Sequence, residues 1–226
     1  ISGLPYLRKA WPDLVSLGAA YGEKVLEKDS ALKQIRILSE VAWEQYTDQK
    51  KPYVLMDGLK IDQMICEKDV ILLGDRELHC YETPGHTNCS LSFLLEPGKI
   101  FFPSESTGVY SARGMIYTGM LKSYHDTVAA IEKCRKIKIN HIISPHYGLV
   151  SDDDREAYWD LSLASTEESK KFILEKKKDG ALFSEILEEY TKEFWIRKRT
   201  EEQPKEAFLL NAHHMIHNVL KEFHEV

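Results

Sequence analysis

Nowhere do the 226 residues of this chain reach the roughly 18 uninterrupted apolar residues of a membrane span. The opening segment ISGLPYLRKAW has neither the apolar core nor the cleavage site of a signal peptide, so a cytoplasmic protein is expected. The four cysteines, Cys66, Cys80, Cys89 and Cys134, show no CxxC spacing. That argues against a disulfide framework and a structural zinc knuckle and leaves four reduced thiols. Excess positive charge is also lacking. A net charge of −6 speaks against a general nucleic-acid binder, and the short basic clusters at 133–138 and 176–178 read as solvated helix surface. No internal repeat or low-complexity stretch appears. The chain opens on Ile1-Ser2-Gly3 without a methionine, inside what reads as a turn, as a fragment would.

What is present suits a globular protein, with 43% hydrophobic and 29% charged residues. Residues 30–46 carry Leu32, Ile35, Leu38 and Trp43 at helical spacing behind Ser30, which predicts a helix with Ser30 as N-cap. From Asp69 the texture changes to short strand-like runs, DVILL, ELHCYE, SLSFLL and KIFF, with a hairpin turn at Glu96-Pro97-Gly98-Lys99. Residues 123–138 read as a helix capped by Ser123 with Asp126 three residues on, and the strand HIIS follows. Strands and helices thus alternate to about residue 150, which predicts an α/β core with covered sheets. After the acidic SDDD at 151–154 the strands stop. Two amphipathic helices are expected there, one marked by Leu182, Phe183, Ile186, Leu187, Tyr190 and Phe194, the other by Phe208, Ala212, Met215, Val219 and Phe223. The expected organisation is a core over 1–150 and a helical extension over 151–226.

Three places share one design, a β-run followed at once by a candidate metal ligand. ELHCYE leads to TPGH and His86, KIFF to PSE and Glu105, HIIS to PH and His146. Imidazole and carboxylate suit a divalent transition metal, and ligands at strand ends are held more rigidly than ligands on long loops.

TPGHTNCS, FFPSESTG and IISPHYG, in that order, resemble the later ligand motifs of the metallo-β-lactamase fold hydrolases. The resemblance covers residues 1–150 and implies an αββα sandwich. It also implies two divalent metal ions, zinc first, with iron or manganese as alternatives. His86 would bind one metal, His146 the other, and Glu105 would replace the aspartate that bridges them in the family. A water between the metals would be the nucleophile of a metal-dependent hydrolase. ISGLPYL resembles the segment that follows the family's HxHxDH motif, so an N-terminal segment with that motif is expected to precede Ile1. The helical extension resembles those of the glyoxalase II-like and quinolone-signal response thioesterases, and FPSESTG looks closer to the second group, which implies an ester or thioester as small-molecule substrate. The alternatives are a phosphodiesterase of the same fold and a non-catalytic binding protein with a degenerate metal site. No nucleic-acid or membrane partner is expected, and a homodimer is left open.

Cys89 reads as a small apolar residue and Tyr147 as a packing aromatic. In the terminal helix, His213, His217 and His224 fall on one stripe away from the apolar face, as a solvated edge or as the mouth of the site.

Overall fold

Residues 1–47, 55–111, 113–197, 200 and 202–225 are described by a computed structural model, in which the chain divides into two compact units, Ile1–Cys66 and Glu67–Val226. In the first unit, Pro5 lies in the opening turn of α1 (Leu4–Ala10), where its missing N–H costs no helix bond. β1 (Leu17–Gly18) pairs parallel with β2 (Gln63–Met64), and α2 (Ala20–Leu26) and α3 (Asp29–Tyr46) lie between them in the chain. Asp62 ties this unit together. Its carboxylate accepts the Ser16 N–H at 2.9 Å and pairs with the Arg8 guanidinium, and these two contacts hold it well below the usual carboxylate range. Ser30 does not cap α3. The N-cap is the extended Lys28, two residues before Ser30, with the Asp29 carboxylate in the first turn, where the helix dipole favours a negative charge.

The second unit holds a six-stranded sheet in the order β10-β9-β6-β5-β4-β3. Its strands are β3 (Val70–Leu73), β4 (Arg76–Glu82), β5 (Leu91–Glu96), β6 (Ile100–Phe102), β9 (His141–Ser144) and β10 (Gly148–Leu149). The anticipated runs therefore all form strands. Glu96-Pro97-Gly98-Lys99 closes a hairpin in which Leu95 faces Ile100. Within this sheet, among the described residues, only β6 and β9 pair in parallel, and a parallel pair needs a long crossover. That crossover carries the short ribbon of β7 (Val109–Tyr110) and β8 (Ile116–Tyr117), then α4 (Tyr124–Cys134). Ser123 caps α4 as anticipated, its Oγ accepting the Asp126 N–H at 3.0 Å, although the helix ends at Cys134, short of residue 138.

Among the described residues no strand follows Leu149, and three α-helices, with a π-helical turn at Lys192–Ile196 after the second, stand where two helices were expected. Ser151 and its aspartates are the cap and first turn of α5 (Asp152–Lys178), with Lys176–Lys178 in its last turn; both ends complement the helix dipole. α5 serves two cores. Its first half gives Tyr158 and Trp159 to the layer under Leu94, Phe101 and Ile142 of the sheet. Its second half gives Ile173 to a helical core with α6 (Phe183–Thr191) and α7 (Lys205–Glu222), centred on Ile186, Tyr190, Phe194, Met215 and Ile216. Leu182, expected on the apolar stripe, is instead the exposed N-cap of α6, where its N–H donates to Glu185 at 2.7 Å. Within the basic clusters, Lys133 lies 2.8 Å from Glu67, Arg135 2.8 Å from Asp160, and Lys176 pairs with Glu189. Among the described residues no helix is long and apolar enough to cross a membrane.

None of the four cysteines is in a disulfide. Cys80 and Cys134 are fully buried, and burial pushes the Cys134 thiol up to about 12. Only the thiolate attacks a disulfide reagent. At pH 8, Cys66 and Cys89 are therefore expected to react with an aromatic disulfide reagent in the folded state, and Cys80 and Cys134 only as fast as the unit unfolds. Mass-spectrometric mapping over time checks this, and fast labelling of Cys134 would contradict the packing of α4 on the sheet.

Candidate functional site

Beyond β4, residues 83–90 form a loop closed by the Thr83 N–H donating to the Ser90 carbonyl at 2.9 Å. At its base lies a buried hydroxyl network. Thr83 Oγ1 is 2.9 Å from both Ser92 and Ser104, and Ser92 Oγ accepts the Ser104 N–H at 2.8 Å. These bonds join the ends of β4, β5 and β6 at the point where two candidate ligands leave the sheet. Gly85 has φ +133°, and its carbonyl accepts the Lys122 N–H at 2.8 Å. The next residue, His86, is then held from two sides. Its N–H donates to the buried Ser106 Oγ at 2.8 Å, and its Nδ1 lies 3.0 Å from the Gly119 carbonyl. A carbonyl only accepts, so Nδ1 carries a proton, and in the neutral form the ring presents the Nε2 lone pair.

Glu105 opens a 3₁₀ turn, Glu105–Thr107, directly after β6. Its carbonyl accepts the Gly119 N–H at 3.3 Å. The turn ends at Gly108, φ +122°, whose carbonyl accepts the Tyr158 hydroxyl at 2.7 Å from α5. His146 follows β9 and Pro145. Its φ of +69° is uncommon for a residue with a side chain, and the turn is closed by the Tyr147 N–H donating to Pro145 at 2.9 Å. Backbone held in such a region is a recurrent feature of functional sites. The preceding Ser144 is anchored, its Oγ accepting the Tyr110 N–H at 2.7 Å.

These elements bring the three anticipated residues together. His86 Nε2 lies 3.6 Å from Oε2 of Glu105, and His146 Nε2 lies 3.4 Å from Oε1 of the same carboxylate. Two donors on one tetrahedral zinc ion, each about 2.1 Å from it, stand about 3.4 Å apart, so either His–Glu pair has the spacing of neighbouring ligands. Among the described residues, no three His, Cys, Asp or Glu side chains form a group that could hold a metal ion. Each imidazole instead faces its own oxygen, and Glu105 stands between the two.

A cavity of about 450 Å³ begins at His86 and Glu105, passes Thr118 and Gly119, and runs between α5, α6 and α7 to Tyr190, Phe194, Phe208 and Met215. α7 contributes Asn211, Ala212 and Met215 to it. His213, His217 and His224 are exposed and do not line it, so the histidine edge is solvated; His213 packs edge-on against Phe183 at 4.9 Å. Tyr147 donates to the Glu202 carbonyl at 3.1 Å. Cys89 lies 3.4 Å from the Thr87 hydroxyl.

Sequence reasoning missed Gly119, which bonds Glu105 with its N–H and His86 with its carbonyl. A Cβ there would lie 2.5 Å from His86 Nδ1. Nothing in IYTGM marks it, because its role depends on what folds against it. Ser106 and the buried Thr83, by contrast, sit inside the quoted motifs.

No family model and no curated protein matches the sequence. Solved structures do match. An archaeal metallo-β-lactamase superfamily protein from Sulfolobus tokodaii superposes with a TM-score of 0.54 at 18% identity, over 97% of this chain and 75% of its own. A metallo-β-lactamase family protein from Thermus thermophilus superposes with a TM-score of 0.56 at 13% identity, over 93% of this chain and 67% of its own. At such identities the likeness is one of fold, and the fold of this chain is that of the metallo-β-lactamase superfamily.

Proposed function

We propose that the protein is a metal-dependent hydrolase acting on an ester or thioester through a centre of two divalent ions, zinc first among them. One observation carries this reading. Glu105 divides its two oxygens between His86 and His146, so these three side chains are the ones that would hold divalent ions. The donor set fits, since neutral imidazole and carboxylate oxygen are ordinary zinc ligands. Bound there, the ions would supply Lewis-acid polarisation of the substrate oxygen and acidify a water.

The chain's own contribution is orientation. The Gly119 carbonyl fixes the proton of His86 on Nδ1 and turns Nε2 toward Glu105, while the strand-end hydroxyls hold the two loops in register. Substrate would enter by the cavity that starts at these residues. No Lys or Arg lines it among the described residues, whereas a phosphodiester would call for cationic groups; this favours the ester or thioester over the phosphodiesterase reading.

Elemental analysis of the full-length protein beside a His86→Ala, His146→Ala double variant tests the proposal. About two metal ions per chain, absent from the double variant and accompanied by thioester hydrolysis in the wild type, is the expected result. A protein that takes up no metal from zinc, iron or manganese solutions would instead be the non-catalytic binder, and the hydrolase reading would be abandoned.

A further inference from the structure

We infer that the cavity between α5, α6 and α7 receives the apolar acyl group of the substrate, so that the preferred ester or thioester carries a medium-length aliphatic or an aromatic acid. The bond to be cut is taken from the hydrolase reading; the apolar group is read from the cavity alone.

The cavity has two unlike ends. At one stand His86, Glu105 and the Thr118–Gly119 backbone, a polar end suited to a carbonyl. At the other stand Tyr190, Phe194, Phe208, Ala212 and Met215, all nearly fully buried in the helical core. The aromatic end is braced. Tyr190 stacks on Phe194 with centroids 4.2 Å apart, lies nearly parallel to Phe208 at 6.0 Å, and keeps its hydroxyl 3.0 Å from Ser169. A tyrosine whose hydroxyl is already bonded within the helices presents ring, not polarity, to what enters. Met115 and Met215 in the wall add flexible thioether surface, which adapts to irregular apolar shapes. A volume of about 450 Å³ falls within the range of roughly 300–1,000 Å³ found for small-molecule sites. The wall also carries Ser165, Glu168, Ser169, Gln203 and Asn211, yet its largest buried side chains are apolar, which fits a molecule with a polar head and an apolar body, the form of a carboxylic acid derivative. The charged lining residues are Glu105 and Glu168, so an anionic group is disfavoured inside and the polar carrier of a thioester would stay outside.

Calorimetric titration with neutral acyl analogues, the amides of acetic, hexanoic and octanoic acids, tests the inference without turnover. Affinity is expected to rise about fourfold per added methylene until the cavity fills, the equivalent of roughly 0.8 kcal/mol per buried CH₂. Two variants narrow the cavity, Ala212→Leu from its wall and the exposed Ala164→Trp from its mouth on α5, and thermal unfolding confirms that each is folded. At least one folded variant should bind octanamide tenfold or more weakly while binding acetamide like the wild type. Equal affinity for acetamide and octanamide would overturn the inference, as would unchanged octanamide binding in folded variants. If affinity climbs with chain length but no thioester of any length is hydrolysed, the hydrolase reading fails and the apolar site stands. If thioesters are hydrolysed but neither rate nor affinity depends on the acyl group, the reverse holds.

Discussion

Gly85→Ala is expected to lower the unfolding free energy of the second unit by about 4 kcal/mol, as the sum of two costs. The first is conformational. At φ +133° a residue with a side chain is strained by roughly 1–3 kcal/mol. The second is steric. A Cβ at this position would lie 2.3 Å from Thr127 Oγ1 and, more seriously, 2.8 and 2.9 Å from the Thr127 Cα and N. A side-chain oxygen can rotate away, but the backbone of α4 cannot move without disturbing Ala130 and Ile131, which are packed in the core. Overpacking of this kind costs roughly 1–3 kcal/mol. Relief by shifting residues 83–86 would break the bonds from Lys122 N–H to Gly85 and from His86 N–H to Ser106. Gly74 provides the comparison. It also has positive φ, +67°, yet nothing lies within 4 Å of a Cβ built on it, so Gly74→Ala should cost only about 1 kcal/mol of strain. Urea denaturation of both variants checks the pair. Equal midpoints for Gly85→Ala and Gly74→Ala would mean that the TPGH loop does not lie against α4.

How much of this was legible in the chain depends on how local each cause is. The strands at 70–73, 76–82, 91–96 and 100–102 follow from alternation and turn residues within a few positions. The three ligand candidates follow from the same grammar, because each stands just after a strand end, and β4, β6 and β9 run the same way and end on the same side of the sheet. α5 was hidden for the opposite reason. Tyr158 and Trp159 serve the sheet while Ile173 serves the helical core, so no single apolar stripe runs through Asp152–Lys178, and its acidic first turn read as a break. Leu182 misled because an apolar side chain can sit at a cap when the neighbouring Glu185 takes the backbone N–H. The cavity could not be read at all. It is built from residues 86 to 215, and no spacing rule links them.

Gly119 is the sharpest instance, and its substitution tests the site rather than the fold. Its φ is outside the left-handed region, so alanine meets no left-handed strain there. What the new Cβ would meet is the His86 ring, at 2.5 Å from Nδ1 and 3.2 Å from Cε1. The imidazole must therefore turn, and the Nδ1–H bond to the Gly119 carbonyl is lost. Without that bond the proton is no longer confined to Nδ1, and Nε2 no longer points at Glu105. Loss of a partner that orients a ligating histidine typically weakens metal binding or activity by about 10- to 100-fold. Gly119→Ala is expected to do the same to zinc affinity, measured against a competing chelator, while the unfolding midpoint moves little. Nitrogen-15 spectra of the imidazoles give a readout that needs no metal: His86 should be the Nδ1–H tautomer in the wild type and a mixture in the variant. Were zinc affinity and the His86 tautomer both unchanged, the ring would be oriented by something other than Gly119, and the division of Glu105 between two histidines would have to be explained without it.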